Sequence, residues 1–267
     1  MISYKFKLEP NTEQKATILT TLNLCRWLYN SSLEQRIFEY KTHKKSISFY
    51  TQKKELPLLK KELPEFKQVH SQVLQNVMER LDKAYQAFFK RLKKGEKAGF
   101  PRFQGKNRYD SFTYAQSGFQ LNGKTLNLSK IGGIRIKSHR KMNGKVKTCA
   151  IIHKNGHFYA CFTCEIEKSK MNSNHSNVVG IDVGVSHLAI TSTGEFYENP
   201  KHLKKLEYIL KQKQRKVSKK KKGSNRRKKA VIQLSKLHEH IANKRRDNAH
   251  KVSRRLVNQH DVWFLKT

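Results

Sequence analysis

The chain of 267 residues carries 57 Lys and Arg against 20 Asp and Glu, for a formal net charge of +37 and a pI near 10.2. A compact soluble protein so charged repels itself, so its composition points to a polyanionic partner, nucleic acid above all. It disfavours a membrane-surface role, because no long uninterrupted apolar run and no signal-type apolar stretch occurs, and Met1-Ile2-Ser3-Tyr4-Lys5-Phe6-Lys7 alternates as a strand.

At this length one large domain or two to three small ones are possible. Four cysteines, Cys25, Cys149, Cys161 and Cys164, without a secretory signal do not make a disulfide framework. They fit a reducing cytoplasm, with nucleoid association in a bacterial or archaeal cell as the expectation. Cys161-Phe162-Thr163-Cys164 has the spacing of half a zinc ribbon, but a second half is missing and residues 157–166 read as a strand.

After the opening strand, Asn11 with Gln14 three residues on signals a helix start, and Ile18, Leu22, Cys25 and Tyr29 recur at helical spacing. A loose Lys-rich middle punctuated by Pro57 and Pro64 follows. A second amphipathic helix begins near Ser71, carries Leu74, Val77, Leu81, Ala84 and Phe88 on one stripe, and ends near Lys94-Gly95. Residues 97–114 interleave rings with cations in an extended stretch. There Arg102, Phe103, Lys106, Arg108 and Tyr109 can stack on bases and hold phosphates, the alternative being that the rings tuck back into a barrel.

From Phe119 to about Glu167 the pattern is one of short strands, with a hairpin signal at Asn122-Gly123. With the opening strand these suggest a small antiparallel barrel formed by residues 1–10 and 97–170, the helical segment 11–96 being inserted. Residues 171–177 read as a polar linker and 178–267 as a second domain.

That domain opens on Val178-Val179-Gly180-Ile181-Asp182-Val183-Gly184, an alternating strand followed by a hairpin. Val179, Ile181 and Val183 take one face. Asp182 stands on the other between Gly180 and Gly184, a face cleared for a metal ion and a phosphate, unless Asp182 is simply a solvated turn residue. An acid so placed resembles the start of an RNase H-like (RuvC-type) nuclease fold. Two helices follow, on Leu203, Leu206, Leu210 and Val217, and on Ala230, Leu234, Leu237, Ile241, Val252 and Leu256. Between them Lys219, Lys220, Lys221, Lys222, Arg226, Arg227, Lys228 and Lys229 surround a Gly-Ser-Asn tip, either a solvated charge run or a hairpin suited to a duplex backbone. Asp261-Val262-Trp263-Phe264-Leu265 begins like a further core strand.

Taken together these segments resemble the TnpB (OrfB) family of transposon-encoded RNA-guided DNA nucleases. The resemblance rests on Tyr4 to Pro10, Cys25-Arg26 with Tyr29-Asn30, Leu74-Gln75 leading to Gly99-Phe100-Pro101-Arg102-Phe103, Lys130-Ile131-Gly132, Gly180 to Gly184, and the Lys/Arg hairpin. It implies an α+β protein: an N-terminal wedge-like antiparallel barrel with an inserted recognition helix bundle, then a RuvC-like α/β domain with a basic helical hairpin. Its partners would be a guide RNA from the transposon end and a double-stranded DNA target read by base pairing. Its chemistry would be hydrolysis by two Mg²⁺ ions held by three acids. Asp182 would be the first acid. The second would come from a Glu-Asp-Leu ending a later strand, and the third would follow a zinc ribbon of two Cys-x-x-Cys pairs.

Here Lys266-Thr267 stands where Glu-Asp is expected, and the zinc ribbon and third acid are absent from the 267 residues. The RuvC-like domain is therefore expected to be incomplete, to hold no metal productively and not to cut. A one-base frameshift in a decaying mobile element would give this ending. The alternatives are a non-catalytic RNA-guided repressor, another basic RNA- or DNA-binding protein, and a ribosome-associated protein, which leaves the Asp182 hairpin unexplained. An incomplete domain would also leave the face of Leu234, Leu237 and Ile241 partly exposed and the C-terminal half marginal and aggregation-prone.

Overall fold

In strand β1 (Ile2–Glu9) every second side chain is apolar, and Tyr4, Phe6 and Leu8 all turn inward and are buried. The computed structural model describes residues 1–106, 108–167 and 177–266, so most of the proposed linker lies outside the described residues. It divides into two compact units, Met1–Lys168 and Ser169–Thr267.

In the first unit β1 leads into helix α1 (Thr12–His43). The Asn11 side chain accepts from the Gln14 amide at 2.8 Å and the Gln14 side chain accepts from the Asn11 amide at 3.0 Å, a reciprocal cap. The buried stripe is the expected Ile18, Leu22, Cys25 and Tyr29, continued by Leu33 and Arg36. The Lys-rich middle is not loose. It forms α2 (Phe49–Glu62), capped by Ser48 and held by buried Gln52 and Leu56, with Pro57 inside the helix at the loss of one backbone hydrogen bond. A 3-10 turn, Pro64–Gln68, buries Phe66, and α3 (Ser71–Lys93) buries Val73, Leu74, Val77, Met78 and Leu81.

Six strands complete this unit: β2 (Ser111–Tyr114), β3 (Phe119–Asn122), β4 (Thr125–Leu128), β5 (Gly132–Lys137), β6 (Lys145–Lys154) and β7 (His157–Glu165). With β1 they make one antiparallel sheet in the order β2-β6-β7-β1-β5-β4-β3. The expected barrel is in fact a curled half-barrel, open between β2 and β3. At the β2 edge Arg80 of α3 donates to the Ser111 carbonyl at 2.7 Å and to Thr113 Oγ1 at 2.7 Å, so a helix covers the edge that closure would pair. Helices and sheet share one core, from Tyr4 through Leu33 and Leu81 to Cys164.

The second unit holds β8 (Val178–Asp182), β9 (His187–Thr191), β10 (Phe196–Glu198), α4 (His202–Ser218), α5 (Asn225–Gln259) and β11 (Val262–Lys266). The sheet order is β10-β9-β8-β11, with β8 and β9 antiparallel and β11 parallel to β8. The turn between α4 and α5 uses Gly223 at φ +85° and the Ser224 hydroxyl, which accepts from the Arg227 amide at 3.1 Å. The far end of α5 lays Val252 and Leu256 on Val179, Ile181, Ala189 and Tyr197. Asn177 then ties the start of β8 to the end of α5, its amide nitrogen donating to the Gln259 carbonyl at 2.6 Å.

Ile241, expected to be partly exposed, is buried at 5% exposure, because α4 and α5 pack side by side; Leu234 and Leu237 are half-buried. Val183, expected on the inner face with Val179 and Ile181, is 57% exposed, because the strand ends at Asp182. Beyond the α5 contact the sheet is thinly covered, and Phe264 and Leu265 on β11 are 65% and 64% exposed. A core this small supports less stability than that of the first unit. Each unit carries one tryptophan, Trp27 and Trp263. In urea, the Trp263 emission of a Trp27→Phe variant should shift at lower denaturant than the Trp27 emission of a Trp263→Phe variant; coincident transitions would show the units unfolding as one.

Candidate nucleic-acid interface and acidic strand

The extended stretch after α3 is pinned at two places. Asn30 of α1 clamps one end: its Nδ2 donates to the Gln104 carbonyl at 3.0 Å and its Oδ1 accepts from the Gln104 amide at 2.8 Å. Tyr109 holds the other, its ring 6.1 Å from Tyr29 and 5.8 Å from the Arg80 guanidinium. Burial raises the Tyr109 phenol pKa well above its ordinary value, and its buried hydroxyl has no partner among the described residues. Tyr109 therefore corrects the stacking expectation: its ring packs on the core. Between the two anchors Lys106 and Arg108 are exposed, and Arg102 and Phe103 (54% exposed) lie just before the clamp. A loop fixed at both ends and charged at its tip suits phosphate contact, because little loop entropy is lost on binding.

A second cationic surface lies in the other unit. Beside the α4–α5 turn a groove of about 310 Å³ is lined by Lys220, Arg226 and Lys229 together with Lys213 and Lys216. No ion pair among the described residues neutralises these five. Lys219, Lys221, Lys222 and Lys228 are exposed around the same turn, and Arg227 is half-buried. Lys213 and Lys216, which the charge run 219–229 does not include, lie three apart on one face of α4, and Lys220 follows just beyond the end of that helix. Such a groove concentrates positive potential where a phosphate would sit.

Asp182 closes β8 on the exposed side of the strand. Its neighbour Gly180 donates its amide to Ser192 Oγ at 3.0 Å, and a Cβ there would meet Ser192 at an ordinary 3.5 Å, so the clearance beside the acid is looser than a glycine requires. On the other side the parallel register sets Lys266 of β11 opposite Asp182. Two Mg²⁺ ions need several carboxylates within a few Å. Among the described residues no group of three or more His, Cys, Asp or Glu converges anywhere. The described residues alone do not supply the donor set of a two-magnesium centre. Cys161 and Cys164, three apart on β7, fall on opposite faces of that strand and cannot grip one ion together. Among the described residues no helix is long and apolar enough to cross a membrane.

Two family models match the chain: one described as "Probable transposase" over residues 161–264, and one described as "Helix-turn-helix domain" over residues 1–45, both of the OrfB group of IS605 elements. Here residues 1–45 fold as β1 and one continuous helix α1, which is not a helix-turn-helix. Two curated relatives align along 99% of this chain, each at 30% identity: "Putative RNA-guided DNA endonuclease InsQ" of Escherichia coli K12 and "Putative RNA-guided DNA endonuclease" of Streptomyces pristinaespiralis. The class is thus that of OrfB-type proteins, whose family model is described as a probable transposase. The chain belongs to the TnpB (OrfB) family. It spans just under two-thirds of those relatives, 65% and 66% of their lengths. A solved Cas12f1–sgRNA–target DNA complex shares the fold at TM-score 0.52 and 12% identity, over 96% of this chain and 65% of that one.

Burial sets the reactivity of the thiols. It pushes Cys25 up to about 12 and raises Cys149 and Cys164, while Cys161 is only half-buried. With iodoacetamide near pH 8, mass spectrometry should find Cys161 modified first and Cys25 and Cys149 modified only on unfolding.

Proposed function

We propose that these 267 residues form the nucleic-acid-binding part of an RNA-guided DNA endonuclease of the TnpB family, holding a guide RNA from the transposon end and a double-stranded DNA target. In this reading the first unit is the wedge and recognition region and the second is a partial RuvC-like domain with Asp182 as its first metal-binding acid. The sheet order β10-β9-β8-β11, an antiparallel meander joined by a helical crossover to a parallel strand beside the acid, supports that assignment. The two cationic surfaces, at Lys106 and Arg108 and at the α4–α5 groove, would hold phosphates, and base pairing with the guide would read sequence.

One observation carries the expected lack of cleavage: the position beside Asp182 on the parallel strand is Lys266. The residue type at that register position is thus not a carboxylate, and one acid by itself does not fix two ions. The same observation favours, as a second reading, a non-catalytic RNA-guided repressor, which would silence a promoter carrying its target site.

Co-expression with transposon-end RNA, followed by incubation with a plasmid target library and Mg²⁺, should give RNA-dependent retention of DNA without strand breaks. Breaks above background that disappear in Asp182→Ala would overturn the reading. For the hairpin, a Lys220→Gln/Arg226→Gln/Lys229→Gln variant should lower the slope of log affinity against log salt by about 2–3, since each phosphate contact on a duplex contributes about 0.9. An unchanged slope would place the hairpin away from the backbone.

A further inference from the structure

The first unit holds a cavity whose lining includes none of Arg102, Phe103, Lys106 and Arg108. Of about 740 Å³, it lies between α1, α3 and the start of the extended stretch, and its walls are Tyr40, Tyr85, Phe88, Phe89 and Phe100. The rings brace one another: Phe100 meets Tyr85 at 87° and Phe88 at 81°, with centroids 5.5 Å and 5.3 Å apart.

The floor is polar. Arg36 Nη1 donates to Asp82 Oδ1 at 3.1 Å, Arg36 Nε to Gln52 at 2.8 Å, and Gln86 Nε2 to Asp82 Oδ2 at 2.6 Å. The Arg36 side chain is only 7% exposed, and its Nη2 is buried with no acceptor among the described residues. A buried guanidinium donor left unpaired is costly, and an acceptor supplied by a guest would relieve it. Asp82 is 24% exposed and keeps lone pairs for further donors. Lys41 reaches the rim, and Lys44 lies 5.9 Å from the Tyr40 ring.

Aromatic walls, a donor and an acceptor side by side on the floor and cations at the mouth match a nucleotide. An apolar helix seeks an aliphatic groove without buried charge. We propose that this cavity receives one unstacked guanine of a bound single-stranded RNA. The ring would stack on the aromatic wall, the Asp82 carboxylate would accept from N1–H and the exocyclic amine, and Arg36 would donate to O6. The inference rests on the RNA-binding reading above and adds a base-specific site to it.

The test uses the full chain and four single-stranded RNA octamers at about 0.3 M salt, where phosphate attraction is weakened. One is all uridine; the others carry a single guanine, adenine or abasic residue in the middle. The guanine octamer should bind about tenfold tighter than the uridine and abasic ones. Tyr40→Ala and Phe89→Ala, at exposed positions where folding is not at stake, should erase that preference, so that the guanine octamer binds no tighter than the uridine one. Equal binding of all four octamers, or a preference that survives both variants, overturns the guanine site while leaving RNA binding intact. Equal binding of adenine and guanine overturns the assignment to guanine. Failure to bind any octamer sinks the RNA-binding reading and this inference with it.

Discussion

The pairing of β1 at the centre of the seven-stranded sheet is the constraint on which the first unit depends. Residues Ile2–Leu8 run antiparallel to Phe158–Cys164, while Lys7–Glu9 also meet Arg135–Lys137. The strand therefore joins β7 to β5 and aims Tyr4, Phe6 and Leu8 at the helices that follow it. A slip of one residue would turn those three to solvent and Lys5 and Lys7 inward, so the register is fixed by the burial pattern itself. Gln14 secures it further: while capping α1, it also donates to the Gly133 carbonyl at 2.7 Å, locking helix to sheet.

Long periodic elements were legible in the sequence. The Asn11–Gln14 cap, the stripes of α1 and α3, the strands from Phe119 to Glu165 and the hairpin at Asp182 were all readable, because each follows one local rule over many residues. What escaped was decided by tertiary contact. α2 contains a proline and many lysines, yet Gln52 and Leu56 are buried against neighbouring helices, which outweighs a weak propensity. β2 and β10 are too short to show a period. The half-barrel stays open because one arginine on α3 takes up an edge carbonyl, a detail no alternation pattern encodes.

The candidate sites divide in the same way. Lys106, Arg108 and the charged turn were visible as composition, whereas the anchoring by Asn30 and the packing of Tyr109 depend on residues 74 and 80 positions away along the chain. The aromatic cavity draws its walls from three separated segments, each an unremarkable piece of helix or loop. In the second unit Asp182 was read from its strand alone. That Lys266 shares its register follows from the parallel pairing of β8 with a strand that begins 84 residues after β8 starts, at Val262 against Val178.

The central place of β1 has a consequence for how the protein is born. Its pairing partner β7 ends at Glu165, so the first strand made waits for the last strand of its sheet. At the usual pace of translation that wait is on the order of 10–30 s. During it the helices α1 to α3 can form, but their apolar stripes lack the sheet that covers them. The emerging chain is strongly cationic and lies beside ribosomal RNA, so its first polyanionic contact is the machine that synthesises it.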